Sequence, residues 1–178
     1  MPNHMSFTWL KFRSAACVAA ILSIVSGMLH SPARSSGILA QCEFEPGRES
    51  TVVRVLDGDT IVLADGLTVR LIGAEAPKDE GLSLPDPTSS PALISMHRLE
   101  AITLDKVVQL FYGGQRRDRY GRALAHVMVQ EGNIPIWVQE RMIAEGMARV
   151  YSFRDNRSCS RQLLEFEKGA QRARRGIW

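Results

Sequence analysis

Charged side chains crowd into residues 53 to 78, a stretch that otherwise consists largely of strand-forming apolar residues, VRVLDGDTIVLADGLTVRLIGAEAPK. Those that could act together are Asp57, Asp59, Arg70, Glu75 and Lys78. Asp65-Gly66, the strongest short signal for a β-hairpin, separates two apolar runs. A two-residue turn there would pair Ile61 with Arg70, and Asp59 would lie about 7–8 Å from Arg70 on the same face. Because this is too far for a direct ion pair, we expect the two side chains to hold a ligand between them.

A second candidate for chemistry is the basic segment GQRRDRYGR, residues 114 to 122. Its four arginines are Arg116, Arg117, Arg119 and Arg122. Guanidinium groups this close together could hold a polyanion such as a nucleic acid. Taken alone, the segment is more typical of a solvated basic turn.

The chain begins with a segment that is typical of a secretory signal peptide. Lys11 and Arg13 precede an apolar run from about Ala15 to Leu29, followed by a stretch rich in serine and glycine. At roughly 15 residues the run is short for a membrane span of about 20. We therefore predict a leader and linker over residues 1–40 and one domain over residues 41–178, with an uncleaved membrane anchor as the alternative.

The leader accounts for the basic character of the whole chain. Residues 1–40 hold three of the 22 basic residues and none of the 19 acidic residues, so residues 41–178 hold 19 of each. The predicted domain is therefore near neutral, and the isoelectric point is no evidence that it binds nucleic acid. Any polyanion would have to be held by a local cluster.

Cysteine positions agree with export to an oxidising compartment. Cys42 and Cys159 lie near the two ends of the predicted domain, and the third cysteine, Cys17, lies in the leader. A disulfide between the first two would close a long loop and stabilise the fold by about 4 kcal/mol in the chain-entropy model. We predict this bond; two free buried thiols are the alternative.

Hydrophobic periodicity and capping signals predict five strands and three helices. The strands are 51–56, 60–64, 67–72, 107–112 and 123–129, and the helices are 91–104, 133–145 and 160–175. Ser90 would cap the first helix and Asn133 the second, and residues 73 to 90 form a long loop. Five short strands with a helix between the third and the fourth predict an α+β, mainly β fold, a five-stranded OB-type barrel with three helices.

Several other site classes find no support in the sequence. It contains no zinc-binding pattern, Walker loop or serine-triad motif. His97 and His126 have no partner at metal-ligand spacing, so we expect both to be structural.

In this order, the motifs DGDT, VRL, AP and DRYGRALA, with RRGIW at the end, resemble those of the staphylococcal nuclease (thermonuclease) family. The resemblance spans about residues 50 to 178. It implies an OB-type barrel and a Ca²⁺-dependent phosphodiesterase that cuts DNA and RNA with little sequence preference. This chemistry explains the residue types. Carboxylate oxygens would hold a hard cation, and two arginines would bind the phosphate.

The resemblance also implies roles for individual residues. The metal ligands would be Asp59, Glu75, where the family has aspartate, and the backbone carbonyl of Ala76. Arg70 and Arg122 fall on the two phosphate-binding arginines. The residues that flank the bound nucleotide would be Arg119, Tyr120 and Tyr151, with Phe153 as a further stacking candidate.

Lys78 departs from the family pattern, because it occupies the position of the glutamate that is the family's general base. Loss of a positioned base typically costs about 10²- to 10⁴-fold in rate. Asp79 or Glu80 could supply the missing carboxylate, the metal alone could activate water, or the site could be a catalytic relic. The sequence leaves these three interpretations open.

The leading hypothesis is an exported, periplasmic or secreted, monomeric nuclease. Its substrate would be single-stranded DNA or RNA, its cofactor Ca²⁺, and it would have no stable membrane association after the leader is removed. The alternative is a non-catalytic OB-fold module that binds nucleic acid or another polyanion, which the lysine at position 78 favours.

Overall fold

The computed structural model describes residues 42–79 and 90–178, and these residues form eight strands and three helices. The strands are β1 (Glu45–Asp57), β2 (Thr60–Leu63), β3 (Thr68–Leu71), β4 (Gly73–Glu75), β5 (Val107–Tyr112), β6 (Ala123–Glu131), β7 (Ile134–Trp137) and β8 (Arg149–Tyr151). The helices are α1 (Pro91–Thr103), α2 (Val138–Ala144) and α3 (Ser160–Arg172).

Five of the strands close into a barrel. The main sheet has the order β3-β2-β1-β5-β6-β7, and β3 also pairs with β6 in parallel, which joins the sheet into a ring. The other ladders of this sheet are antiparallel, so the barrel is mixed. The closed barrel with its three helices confirms the predicted fold class, and strand closure leaves the ring without a free edge.

Apolar side chains from every barrel strand fill the interior. Fully buried examples are Val52, Ile61, Leu63, Val69, Leu110 and Val127. Helices α1 and α2 cover the barrel with the buried side chains Leu99, Met142 and Ile143. This packing fixes the ends of β2, β3 and β6, from which the charged side chains project.

The first hairpin has a longer loop than predicted. The backbone N–H of Leu63 donates to the carbonyl of Leu67 at 2.9 Å, and Asp65 accepts a bond from the Leu67 N–H at 3.0 Å. The loop therefore contains three residues, and Thr60, instead of Ile61, pairs with Arg70. The predicted register was wrong by one residue because the bond from the Leu67 N–H to the Asp65 carboxylate stabilises a three-residue loop.

The second helix begins later than predicted. Gly132 and Asn133 form the two-residue turn of a hairpin in which Glu131 pairs with Ile134, so Asn133 caps no helix. β7 follows this turn, and α2 begins only at Val138. Gly-Asn between two apolar runs is itself a hairpin signal, which outweighed the capping preference of asparagine.

The predicted long loop after β3 contains a short strand. Within it, β4 pairs with β8 in a separate two-stranded sheet. Helix α1 begins at Pro91 with Ser90 at its N-cap, as predicted, although the Ser90 hydroxyl makes no capping bond.

The structure contains the predicted disulfide between Cys42 and Cys159, whose Cα atoms are 5.4 Å apart. The bond joins the segment before β1 to the residue before α3. Among residues 42–79 and 90–178, no helix has the length and apolar character needed to span a bilayer. The predicted leader over residues 1–40 lies outside the described residues.

His126 lies in the barrel wall and is almost completely buried, as expected for a structural histidine. Its ring packs against Phe44 and Trp137, with centroid separations of 4.6 and 5.4 Å. Burial lowers the pKa of His126 to about 3, so the imidazole is neutral in the folded protein at neutral pH.

The buried histidine predicts a loss of stability in mild acid. Below pH 6.5 the unfolded chain protonates this histidine while the folded protein does not, so stability falls as the pH drops from about 6.5 toward about 3. Between pH 7 and pH 5 the group should cost about 2 kcal/mol of unfolding free energy. Urea unfolding measures how much unfolding free energy each protein loses between pH 7 and pH 5. This loss should be smaller than in the parent by about the same amount in His126→Leu, and equal to that of the parent in the exposed control His97→Gln. Equal losses in all three proteins would contradict this assignment.

Candidate active site

The turn between β1 and β2 buries one carboxylate. Within DGDT, the backbone N–H of Asp59 donates to the Asp57 carboxylate at 3.0 Å, and this turn directs Asp59 inward. A Cβ on Gly58 would lie 2.6 Å from the Cβ atoms of Ala76 and Ser95, so only glycine allows this close approach. As a result Asp59 has no solvent-exposed surface.

The Asp59 carboxylate accepts four hydrogen bonds. Its Oδ1 accepts from the Thr60 hydroxyl at 3.0 Å and from Arg70 Nη1 at 2.7 Å. Its Oδ2 accepts from the Ala76 backbone N–H at 2.9 Å and from Lys78 Nζ at 2.9 Å. Two charged and two neutral donors therefore satisfy the full acceptor capacity of a buried carboxylate.

The direct bond between Asp59 and Arg70 corrects the predicted separation. We expected a gap for a ligand between these side chains, but Arg70 Nη1 contacts Asp59 Oδ1 directly. The one-residue change in register places Arg70 opposite Thr60, beside the turn that holds Asp59. Asp59 thus fixes the position of the guanidinium group of Arg70, whose side chain is only 12% exposed.

Lys78 joins the two aspartates of the DGDT turn. Its ammonium group lies 2.8 Å from Asp57 Oδ2 and 2.9 Å from Asp59 Oδ2. Partial burial works to raise the pKa of Asp57, but the hydrogen bond and charge of Lys78, with the Asp59 N–H, outweigh it and lower the pKa below its ordinary value. A fixed cation therefore stands between the two carboxylates.

Glu75 lies on the other side of Arg70. Its Oε1 is 3.9 Å from Arg70 Nη2, and its Oε2 accepts a bond from Arg149 Nη2 at 2.8 Å. The pairing of β4 with β8 places Glu75 directly opposite Arg149. Sequence reasoning missed Arg149, because nothing local to residues 73–75 or 149–151 indicates that these two short strands pair.

Barrel closure brings the second predicted arginine to the same place. Val69 of β3 pairs with Ala123 of β6, so Arg70 and Arg122 stand one residue to either side of this pair. Both side chains line one open cavity of about 520 Å³. Arg70 and Arg122 therefore border the same cavity, although their segments are about 50 residues apart in the chain.

Asp118 holds Arg122 in this position. Its carboxylate accepts bonds from Arg122 Nε at 2.7 Å and from the backbone N–H groups of Tyr120 and Arg122 at 2.9 and 3.0 Å. Burial works to raise the pKa of Asp118, but these bonds outweigh it and lower the pKa. Gly121, with φ of +82°, completes the turn. Sequence reasoning missed this role, although an aspartate as the first residue of a turn is a signal for such bonds.

Aromatic rings border the cavity. Tyr120 is 68% exposed and packs under the Arg119 guanidinium group at 4.7 Å, and both residues line the cavity. Phe153 also lines it. Tyr151 packs edge-on against Phe153, with ring centroids 4.9 Å apart.

The two acids proposed to replace the missing base, Asp79 and Glu80, precede α1 in the sequence. The carboxylate of Asp79 accepts a hydrogen bond from the Ser90 hydroxyl at 3.2 Å. Glu80 lies outside the described residues. In the described parts of the chain, no three histidine, cysteine or acidic side chains are arranged to hold a metal ion by themselves.

Comparison with known proteins agrees with this geometry. The model of the family described as staphylococcal nuclease homologue matches residues 68–178. The chain is 33% identical over 167 residues to the thermonuclease of Staphylococcus hyicus, which covers 90% of this chain and 92% of that protein. It is 35% identical over 133 residues to Endonuclease YncB of Bacillus subtilis (strain 168), covering 72% of this chain and 60% of that protein. The thermonuclease of Staphylococcus intermedius is 29% identical over 135 residues, with 74% and 77% covered.

The family model and these relatives confirm the family resemblance of the sequence motifs. The chain belongs to the staphylococcal nuclease family.

Proposed function

We propose that the protein is a nuclease that hydrolyses phosphodiester bonds of DNA or RNA with little sequence preference. The observation that carries this proposal is the convergence of Arg70 and Arg122 on one cavity next to the buried Asp59. Water would attack the phosphorus atom, the bond to the leaving oxygen would break, and negative charge would grow on the remaining phosphate oxygens. Two guanidinium groups facing that charge are the largest catalytic contribution that this site can make.

The two arginines are held before substrate arrives. Asp59 fixes Arg70 and Asp118 fixes Arg122, each through a bond of 2.7 Å. Each planar guanidinium group has five N–H donors, so N–H groups remain for a phosphate after the carboxylate is bound. Groups positioned in this way need little reorganisation when charge develops on the phosphate.

The aromatic border supports the proposed lack of sequence preference. Tyr120 and Phe153 offer ring faces at the edge of the arginine-lined cavity. Every base can stack on an aromatic ring, and such stacking needs an unpaired base. We therefore propose single-stranded DNA or RNA as the substrate.

The same site supports a cation cofactor, which we propose to be Ca²⁺. The ammonium group of Lys78 already lies between Asp57 and Asp59, which supports a cation at this place. The ligands would be the carboxylates of Asp59 and Glu75 and the carbonyl of Ala76, all oxygen donors of the kind Ca²⁺ prefers. Bound there, the ion would add positive charge beside the phosphate. Lys78 would first have to leave Asp59.

The source of the catalytic base follows from the position of Lys78. Lys78 is bonded to two carboxylates, so it is placed to act as a cation. We propose that a carboxylate that follows Lys78 in the sequence, from Asp79 or Glu80, orients and deprotonates the attacking water. The Asp79 carboxylate would exchange its bond to Ser90 for one to this water.

A second candidate function is binding of nucleic acid without cleavage. Lys78 favours it, because a lysine stands where the family resemblance places the general base. The arginine-lined cavity and its aromatic border would serve a binding module as well as an enzyme. Cleavage assays with matched variants separate the two.

The full chain should cleave single-stranded DNA and RNA, and Arg122→Gln should reduce the initial rate by about 10²- to 10³-fold, because one positioned donor to the phosphate is lost. Arg172→Gln, a change on the exposed face of α3, is the control and should leave the rate unchanged. Rates are measured by gel electrophoresis of labelled substrate with Ca²⁺ and with chelator. Binding of the same substrate without cleavage, by the parent protein and by Lys78→Glu, would favour the binding module.

We also propose that the protein acts after export. The predicted leader over residues 1–40 and the disulfide between Cys42 and Cys159 support this, because disulfides persist in oxidising compartments. Mass spectrometry of protein expressed in a secreting host should find a mature chain that lacks the first 33 to 40 residues, roughly as the signal-peptide pattern predicts. Recovery of only the uncleaved chain from the cytoplasm would refute export.

A further inference from the structure

We infer that Lys78 is a tethered cation that competes with Ca²⁺ for Asp57 and Asp59, and that it sets the affinity of this protein for the metal. The inference rests on the cation site of the proposed function. It assigns to Lys78 a regulatory role that neither a general base nor an inert surface lysine would have. Three observations carry it: the saturation of Asp59, the exposure of Lys78 and the charge balance of the cluster.

Saturation of Asp59 means that a metal ion can bind only if a donor leaves. Each carboxylate oxygen already accepts two hydrogen bonds, and a carboxylate has about four acceptor positions in all. A Ca²⁺ ion at Asp59 and the complete set of four donors are therefore mutually exclusive.

Of the two charged donors to Asp59, Lys78 is the one that can leave at the lower cost. The Ala76 N–H belongs to the backbone, and the Arg70 side chain is 12% exposed and also faces Glu75. Lys78 is 42% exposed, and its ammonium group stands on a flexible four-carbon chain. Its release needs only rotation of side-chain torsions into solvent.

The charge of the cluster is balanced with Lys78 in place. Three acids face three bases, and they are Asp57, Asp59, Glu75, Arg70, Lys78 and Arg149. With a glutamate at position 78, as the family resemblance implies, the same cluster would carry two negative charges, which is the charge that one Ca²⁺ ion neutralises. The positive charge of Lys78 therefore neutralises negative charge that a metal ion would otherwise neutralise.

Competition follows from this balance. Ca²⁺ must displace an ammonium group from two carboxylates and must then share the pocket with the remaining cations at short range. Removing the positive charge of Lys78 should therefore strengthen Ca²⁺ binding by at least about tenfold. The parent protein would bind the ion only at higher Ca²⁺ concentration. Lys78 would therefore set the Ca²⁺ concentration at which the site fills.

The test is calorimetric titration of Ca²⁺ alone into the full chain, with no nucleic acid present. Lys78→Met should lower the Kd at least about tenfold relative to the parent, and Lys78→Gln is the second neutral variant should Lys78→Met not fold. Lys106→Met, which removes a partly exposed lysine whose ammonium group donates to the Ala101 carbonyl, should leave the Kd unchanged. Adding Asp59→Asn to the Lys78 variant should abolish the gain.

Two results would overturn the inference. One is an equal Kd, or equal absence of binding, in the parent and in both neutral variants. The other is a gain that survives Asp59→Asn, since the ion would then bind elsewhere. Neither result decides the proposed function, because cleavage of nucleic acid is measured separately and could persist without any effect of Lys78 on the metal.

Discussion

The bond between Arg70 and Asp59 is the interaction on which the site depends. A carboxylate without solvent contact is costly unless charged and neutral donors surround it, and Asp59 takes its donors from the first residue of β2, from β3 and from the segment after β4. These segments must therefore stay together for the fold to be stable. The bonds that allow Asp59 to be buried also fix the Arg70 guanidinium group beside the cavity.

Barrel closure supplies the second half of the site. Pairing of β3 with β6 is the one parallel contact among the described barrel ladders, and it brings Arg122 beside Arg70 from a distant part of the chain. Asp118 then fixes Arg122 much as Asp59 fixes Arg70. Two carboxylates on the protein side thus position two cations for a third anionic group, and a phosphate has the charge and the oxygen geometry for that place.

The sequence predicted much of this arrangement, because its strongest signals are local. The strand over residues 107–112 and the start of α1 at Pro91 follow from apolar runs and from serine-proline at a helix start, and both lie where they were predicted. The hairpin register differed by one residue, since a hydrogen bond from the Leu67 N–H to the Asp65 carboxylate stabilises a longer loop. Roles that depend on contacts between distant segments, such as that of Arg149 opposite Glu75, have no local signal and required the structure.

The most direct test of convergence on one phosphate is a double-mutant cycle on the binding of a nucleoside 3′,5′-bisphosphate. Its affinity is measured by calorimetry for the parent, Arg70→Gln, Arg122→Gln and the double variant. If both guanidinium groups contact the same phosphate, the losses are not additive, and the coupling free energy is about 1 kcal/mol or more. Strictly additive losses would show that the two arginines act on separate groups and would contradict a shared phosphate site.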